Sequence, residues 1–259
     1  MSVDAAGPLL SVSDVSIRFG GIIALSDVSF DAARRQVCSV IGPNGAGKTT
    51  LFNCISRLYR PNSGSILFDG NSLDSQPQYK IAGVGLGRTF QNLALFRTMS
   101  VLDNVLVGTH HTLRCGFLAH AFQIGVAAEE RRARDRALEM CDLVGLGPYV
   151  DVDVGSLPFG IQKRVEFARA LAAEPKMLML DEPAAGLNHE EVEGLRALIR
   201  DVCDKMSIAI LLVEHHMNLV MSVSDKVVVL NFGRKIAEGS PDTVRSNPDV
   251  MEAYLGTEA

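Results

Sequence analysis

The stretch from Val37 to Leu51, VCSVIGPNGAGKTTL, constrains the fold of this chain more than any other. An apolar run leads into a glycine-rich turn, and a helical pattern leaves it. Gly42, Gly47, Lys48 and Thr49 fall at the spacing G-x-x-x-x-G-K-[ST], which is the P-loop pattern for binding phosphate. Glycines at 42, 45 and 47 free the backbone to turn successive N–H groups into one concavity. The helix that follows adds its unpaired N-terminal N–H groups and the positive end of its dipole. Lys48 is then placed to reach the β- and γ-phosphates of a nucleotide, and the Thr49 hydroxyl to ligate the magnesium ion that bridges them.

The whole chain, at 259 residues, has the size of one large α/β domain or two small ones. Its net charge of -5 gives no electrostatic footing for nucleic acid. The start, MSVDAAGPLL, lacks a basic region followed by an uninterrupted apolar run, so a cytosolic chain is expected. Five scattered cysteines without C-x-x-C spacing suggest buried thiols and neither disulfides nor a zinc site. The uncharged run from Cys115 to Ala128 is shorter than the roughly 20 apolar residues a spanning helix needs.

In chain order, Leu10 to Phe19 and Ile23 to Phe30 read as strands joined at Gly20-Gly21. Val37 to Ile41 is the strand feeding the loop, and Lys48 to Leu58 the helix leaving it. Pro61 to Gly64 reads as a turn, Ser65 to Phe68 as a short strand, and Arg88-Thr89-Phe90 as another ending at Gln91. Gly83, Gly85 and Gly87 carry no dinucleotide fingerprint, because no clear helix follows them. From Ser100 to Leu171 the pattern is helical. Within it, Arg131 to Arg136 read first as a solvated face and second as a partner surface. Met177 to Leu180 and Ile208 to Val213 are apolar on both faces, as strands buried in a parallel sheet are. A helix from His189 to Met206 starts at a capping box of Asn188 and Glu191. Val227 to Leu230 and Lys235 to Ala237 read as closing strands, and Asp249 to Leu255 as a last helix.

The two buried strands end in Asp181-Glu182 and in Glu214-His215-His216. Functional groups in parallel sheets gather at the carboxyl ends of strands. After a P-loop, Asp181 is the expected second half of the magnesium site. Glu182 can orient and polarise the attacking water, and His215 can hydrogen-bond the γ-phosphate as charge develops.

Taken in order, these pieces resemble the ATP-binding subunit of an ATP-binding-cassette transporter over essentially the whole chain. The resemblance implies that Phe19 stacks on adenine and that Gly42, Pro43, Asn44, Gly45, Ala46, Gly47, Lys48, Thr49 and Thr50 form the Walker A loop. Gln91 resembles the Q-loop glutamine, which joins Thr49 and Asp181 in the magnesium and water shell. Leu157 to Ile161 resembles the signature, with Phe159 and Gly160 meeting the nucleotide, and Leu178 to Glu182 resembles Walker B. Ala185 to Asn188 resembles the D-loop and His215 the switch histidine. The signature is atypical: Pro158 lacks the hydroxyl and the N–H that a serine would offer.

The implied fold is α/β, a P-loop NTPase with a RecA-like core and an antiparallel β region, plus an α-helical signature subdomain. One ATP-binding domain is expected, its RecA-like lobe at about 1–90 and 173–259 and its helical subdomain at about 91–172. LPFG, DEPAAGLN, LLVEHHMNLVM and NPDVMEAYLG narrow the resemblance to the ATP-binding subunits of branched-chain amino acid importers. The implied cofactors are ATP and Mg2+. A second ATP-binding subunit arranged head to tail, two membrane-spanning permease subunits and an external solute-binding protein are the implied partners, with the chain on the cytoplasmic face of the membrane. The segment His110 to Ala128 suits docking on a permease as well as it suits core. An importer of another solute such as urea, or a lipid-exporting ATPase, is the alternative. A soluble clamp for DNA repair or translation would carry coiled-coil insertions or a second cassette, and neither is seen.

Overall fold

The computed structural model describes residues 7–89, 93–110 and 126–255. Gln91, Phe90 and Cys115, with most of the segment His110 to Ala128, lie outside the described residues. A four-stranded antiparallel sheet is built first, from β1 (Leu10–Phe19), β2 (Ile22–Ala32), β4 (Ser63–Phe68) and β5 (Asn71–Ser72), in the order β2-β1-β4-β5. The Gly20-Gly21 dipeptide turns β1 into β2, and Phe19 faces Ile22 across the hairpin.

The second sheet has six strands. These are β3 (Val37–Ile41), β6 (Leu86–Arg88), β7 (Met177–Asp181), β8 (Ala209–Val213), β9 (Lys226–Asn231) and β10 (Arg234–Gly239). Their order is β10-β9-β3-β8-β7-β6, with every pair parallel except β10 on β9. Strands β3, β7 and β8 are buried at every position. The reason is visible side chain by side chain, because alternate residues of a strand face opposite ways. Met177 and Met179 join the core under the antiparallel sheet, together with Leu51, Phe52 and Ile55 of α1 (Lys48–Ile55). Leu178 and Leu180 join the core on the other face. There they meet α2 (Val101–Gly108), α3 (Val126–Leu143), α4 (Phe159–Ala172) and α5 (His189–Met206). Helices α2, α3 and α4 also pack on one another. A third, smaller core joins Ile41 and Val229 to α6 (Met217–Val223), α7 (Pro241–Arg245) and α8 (Pro248–Leu255).

The α/β expectation and the doubly covered strands are therefore met, three element boundaries are corrected, and helices α6 and α7 are added. Helix α1 ends at Ile55 rather than Leu58, because Arg57 turns to φ 63° and buries its guanidinium against Asp74. Ser63 and Gly64 extend β4, where a turn was expected. Strand β6 lies at Leu86–Arg88, two residues earlier than expected, since its register is set by Gly87 beside Leu178 of β7. Helix α7, not anticipated, starts where the Ser240 side chain accepts a hydrogen bond from the Thr243 N–H and Pro241 opens the first turn. Cys38, Cys54, Cys141 and Cys203 are buried free thiols, and burial pushes the Cys38 thiol up to about 12.

Candidate nucleotide site

Because β3, β6, β7 and β8 run parallel, their carboxyl ends fall along one edge of the sheet. That edge carries the loop 42–47 after β3, Thr89 after β6, Asp181 at the end of β7 and Glu214 after β8. The register makes the juxtaposition specific: Val213 pairs with Val40 on one side and with Asp181 on the other. The P-loop strand and the acidic strand end are thus separated by a single strand.

Two glycines of the loop are required by space. Gly42 has φ 151°, and a Cβ there would run into the Leu230 carbonyl. Gly47 has φ 101°, and its Cβ would lie 2.7 Å from the Ala24 carbonyl oxygen and 2.8 Å from Leu25. Gly47 also caps α1, whose first turn holds no acidic residue and accepts no side-chain cap. Its N-terminal N–H groups are left for a ligand. Asn44, Gly45 and Thr49 are exposed, whereas Ala46 and Lys48 are buried. The Lys48 ammonium donates to the Gly42 carbonyl at 2.7 Å and the Pro43 carbonyl at 2.9 Å, arching over the loop. Burial pulls its pKa down, and the charges of Glu182 and Asp181 oppose the shift.

Asp181 is buried and ion-paired with Arg88 at 3.0 Å. Burial still pushes the Asp181 carboxyl above its ordinary value, against the pull of Arg88. Arg88 also donates to Asn53 at 2.8 Å and Ser56 at 2.6 Å, tying the acidic strand to the P-loop helix. Glu182 follows in the left-handed region at φ 48°, its N–H bonded to the Val213 carbonyl. Its carboxylate lies 3.8 Å from Nδ1 of the exposed His215. Lys48, Asp181, Glu182 and His215 are therefore brought to one place.

Phe19 and Tyr59 stand at the surface as an edge-to-face pair with ring centroids 5.1 Å apart. Phe159 packs against the turn that follows Glu182, and Gly160 against the first turn of α5. A Cβ on Gly186 would lie 2.9 Å from the Phe159 ring, and a Cβ on Gly160 would collide with the Glu191 carboxylate. Glu191 itself accepts from the Asn188 N–H in the expected capping box. Arg88 and Glu214 were not singled out in the sequence, although Glu214 is a charge directly after an apolar strand.

The donor set fits a magnesium nucleotide. Magnesium keeps several waters and takes one or two carboxylates together with substrate phosphates. Among the described residues no cluster of three or more His, Cys, Asp or Glu forms a closed metal cage. The Thr49 hydroxyl and the Asp181 carboxylate are hard oxygen donors of the kind such a shared shell uses.

A phosphate loop between a central parallel strand and a helix, with an acidic strand end one strand away, defines a P-loop nucleotide-binding protein. Comparison with known proteins extends this. Residues 25–185 match the ABC transporter family model, and residues 234–259 match a model described as branched-chain amino acid ATP-binding cassette transporter. The chain belongs to the ABC transporter family. It is 45% identical over 250 residues to the high-affinity branched-chain amino acid transport ATP-binding protein BraF of Pseudomonas aeruginosa, covering 96% of this chain and 98% of that one. It is 42% identical, with the same coverage, to the corresponding protein LivG of Escherichia coli. Among solved structures, the ADP conformation of an ATP-binding cassette of an ABC transporter superposes with a TM-score of 0.84 at 30% identity, covering 96% of this chain and 99% of that one. A nucleotide-free cassette gives 0.83 at 29% identity, with the same coverage. The fold is that of an ABC ATPase cassette.

Proposed function

We propose that this chain is the ATP-binding subunit of an importer and hydrolyses ATP to drive uptake of branched-chain amino acids. The observation that carries the chemistry is the convergence of Lys48, Asp181, Glu182 and His215 on one sheet edge beside the glycine loop. The printed functions of the relatives and the match over residues 234–259 support the solute class.

In this reading the loop N–H groups and Lys48 hold the β- and γ-phosphates, while Thr49, Asp181 and Gln91 hold Mg2+. When bound, the ion neutralises charge on the phosphates and orients them. Phe19, exposed beside Tyr59, stacks on the adenine. Glu182 orients the attacking water and takes its proton. His215, next to it, donates to the γ-phosphate as charge builds in the transition state. Phe159 and Gly160 face the nucleotide of a second cassette, arranged head to tail. The division into a RecA-like lobe and a helical subdomain at about 91–172 belongs to the same proposal, and the mutual packing of α2, α3 and α4 supports it. Two permease subunits and an external binding protein complete the assembly, with this chain peripheral on the cytoplasmic face. No helix among the described residues is long and apolar enough to cross a membrane.

The test replaces the cell's own copy by wild type or by Glu182→Gln and follows uptake of labelled leucine, isoleucine and valine. Uptake should be lost with the variant and restored by wild type, and the purified variant should bind ATP and accumulate as a closed dimer. Unchanged uptake would overturn the solute assignment, and rapid ATP turnover by the variant would remove Glu182 from its role.

A further inference from the structure

Glu214 closes the apolar strand β8, and its side chain is completely buried. Both of its oxygens accept backbone hydrogen bonds. Oε1 takes the N–H of Ala184 at 2.7 Å, and Oε2 takes those of His215 at 3.0 Å and His216 at 3.1 Å. Two of these bonds are local, ahead of helix α6. The third crosses 30 residues of sequence to the turn that leaves the catalytic strand. That turn is itself hydrogen-bonded to Glu182, through the N–H of Ala185 on the Glu182 carbonyl, and it continues through Leu187 on Ala184 to the start of α5.

From this geometry we infer that Glu214 is a positioning residue: one carboxylate clamps the turn after Glu182 to the loop carrying His215, so that the two reacting groups are held and move as a unit. The inference rests on the ATPase reading and names a residue that reading does not use. A carboxylate is the side chain the task selects. Ionised, it accepts at both oxygens at once, whereas an amide accepts at one and presents hydrogens at the other. Removing a carboxylate from water is costly unless its lone pairs are filled, and three backbone N–H groups fill them here. The clamp touches neither the P-loop nor Lys48, so nucleotide binding does not depend on it. What depends on it is the separation of Glu182 and His215, 3.8 Å between Oε1 and Nδ1.

The test uses the full chain with Glu214→Gln and Glu214→Asp. In Glu214→Gln the amide oxygen keeps the two bonds to His215 and His216, and its NH2 is turned against the N–H of Ala184. The Asp variant keeps the charge but is one methylene too short to span both loops. Single-turnover ATP hydrolysis should fall about 10- to 100-fold in both, the scale of a misplacement near 1 Å at a reacting group. Affinity for a fluorescent ATP analogue should stay within about twofold of wild type. Hydrogen exchange should accelerate over residues 183–187 in Glu214→Gln, while the amides of His215 and His216 stay protected. Wild-type turnover in the Gln variant, or loss of binding and turnover in equal proportion, would overturn the clamp. Failure of the wild-type chain to bind or hydrolyse ATP would sink the ATPase reading instead, and the exchange pattern would still decide whether one carboxylate ties the two loops.

Discussion

Replacing Arg88 by Met tests whether the acidic end of β7 is held by a buried counter-charge. Methionine keeps the length and apolar stem of arginine, which lies with its guanidinium carbon 5.8 Å from the centre of the Phe52 ring. It removes the ion pair to Asp181, where the two side chains are 11% and 4% exposed. Breaking a buried pair by deleting one partner costs about 3–5 kcal/mol, because the remaining charge is stranded. At about 2–4 °C per kcal/mol for a chain near this length, the melting temperature should drop by roughly 10 °C. The stranded group can escape by taking up a proton, and that gives the prediction its sign. The Asp181 carboxyl is already raised above 3.8 by burial, and losing Arg88 raises it further. A carboxyl that binds its proton more tightly when folded stabilises the protonated fold at low pH and loses that contribution as pH rises from the unfolded value through the folded one. The deficit of Arg88→Met should therefore be small near pH 4 and grow to its full size above the folded pKa, by about 1.4 kcal/mol for each unit of added shift. Urea unfolding of both proteins from pH 4 to pH 8 measures it. A deficit that stays below about 1 kcal/mol, or one that does not change with pH, would refute the reasoning.

Two further substitutions test local geometry. Gly47→Ala must hold alanine at φ 101° with its Cβ 2.7 Å from the Ala24 carbonyl. Equilibrium binding should show ATP affinity down at least about tenfold, on a strain of roughly 1–2 kcal/mol or more, and wild-type affinity would show that the loop does not need this conformation. Asn188→Ala deletes the cap of α5, whose side chain accepts from the Glu191 N–H at 3.0 Å. It should lower stability by about 1 kcal/mol with an unchanged denaturant slope, and a midpoint that does not move would show that the reciprocal Glu191 bond suffices.

How much of this site is legible in the sequence depends on where charge meets apolar chain. Met177 to Leu180 lacks polar alternation, and its side chains do divide between the two cores, Met177 and Met179 to one and Leu178 and Leu180 to the other. The P-loop spacing and the acidic end of that run were equally readable, because both are set by neighbours in sequence. Arg88 and Glu214 were not, since their partners lie 93 and 30 residues away and become neighbours only through the parallel register. The end of α1 was hidden for the same reason. No glycine marks it, and the left-handed turn at Arg57 is held by a guanidinium buried against Asp74. Helix α7 failed differently: Ser240 and Pro241 announce it, but five residues are too few to show a period. A signal was nonetheless present for the two buried charges. Asp181 ends and Glu214 follows a strand apolar on both faces, and a carboxylate in that position must be answered by an opposite charge or by backbone N–H groups. Asked of Asp181, that question leads to Arg88 at the end of the neighbouring strand. Asked of Glu214, it leads to the turn after Glu182, which makes the buried carboxylate, and not only the exposed histidine beside it, part of the machinery.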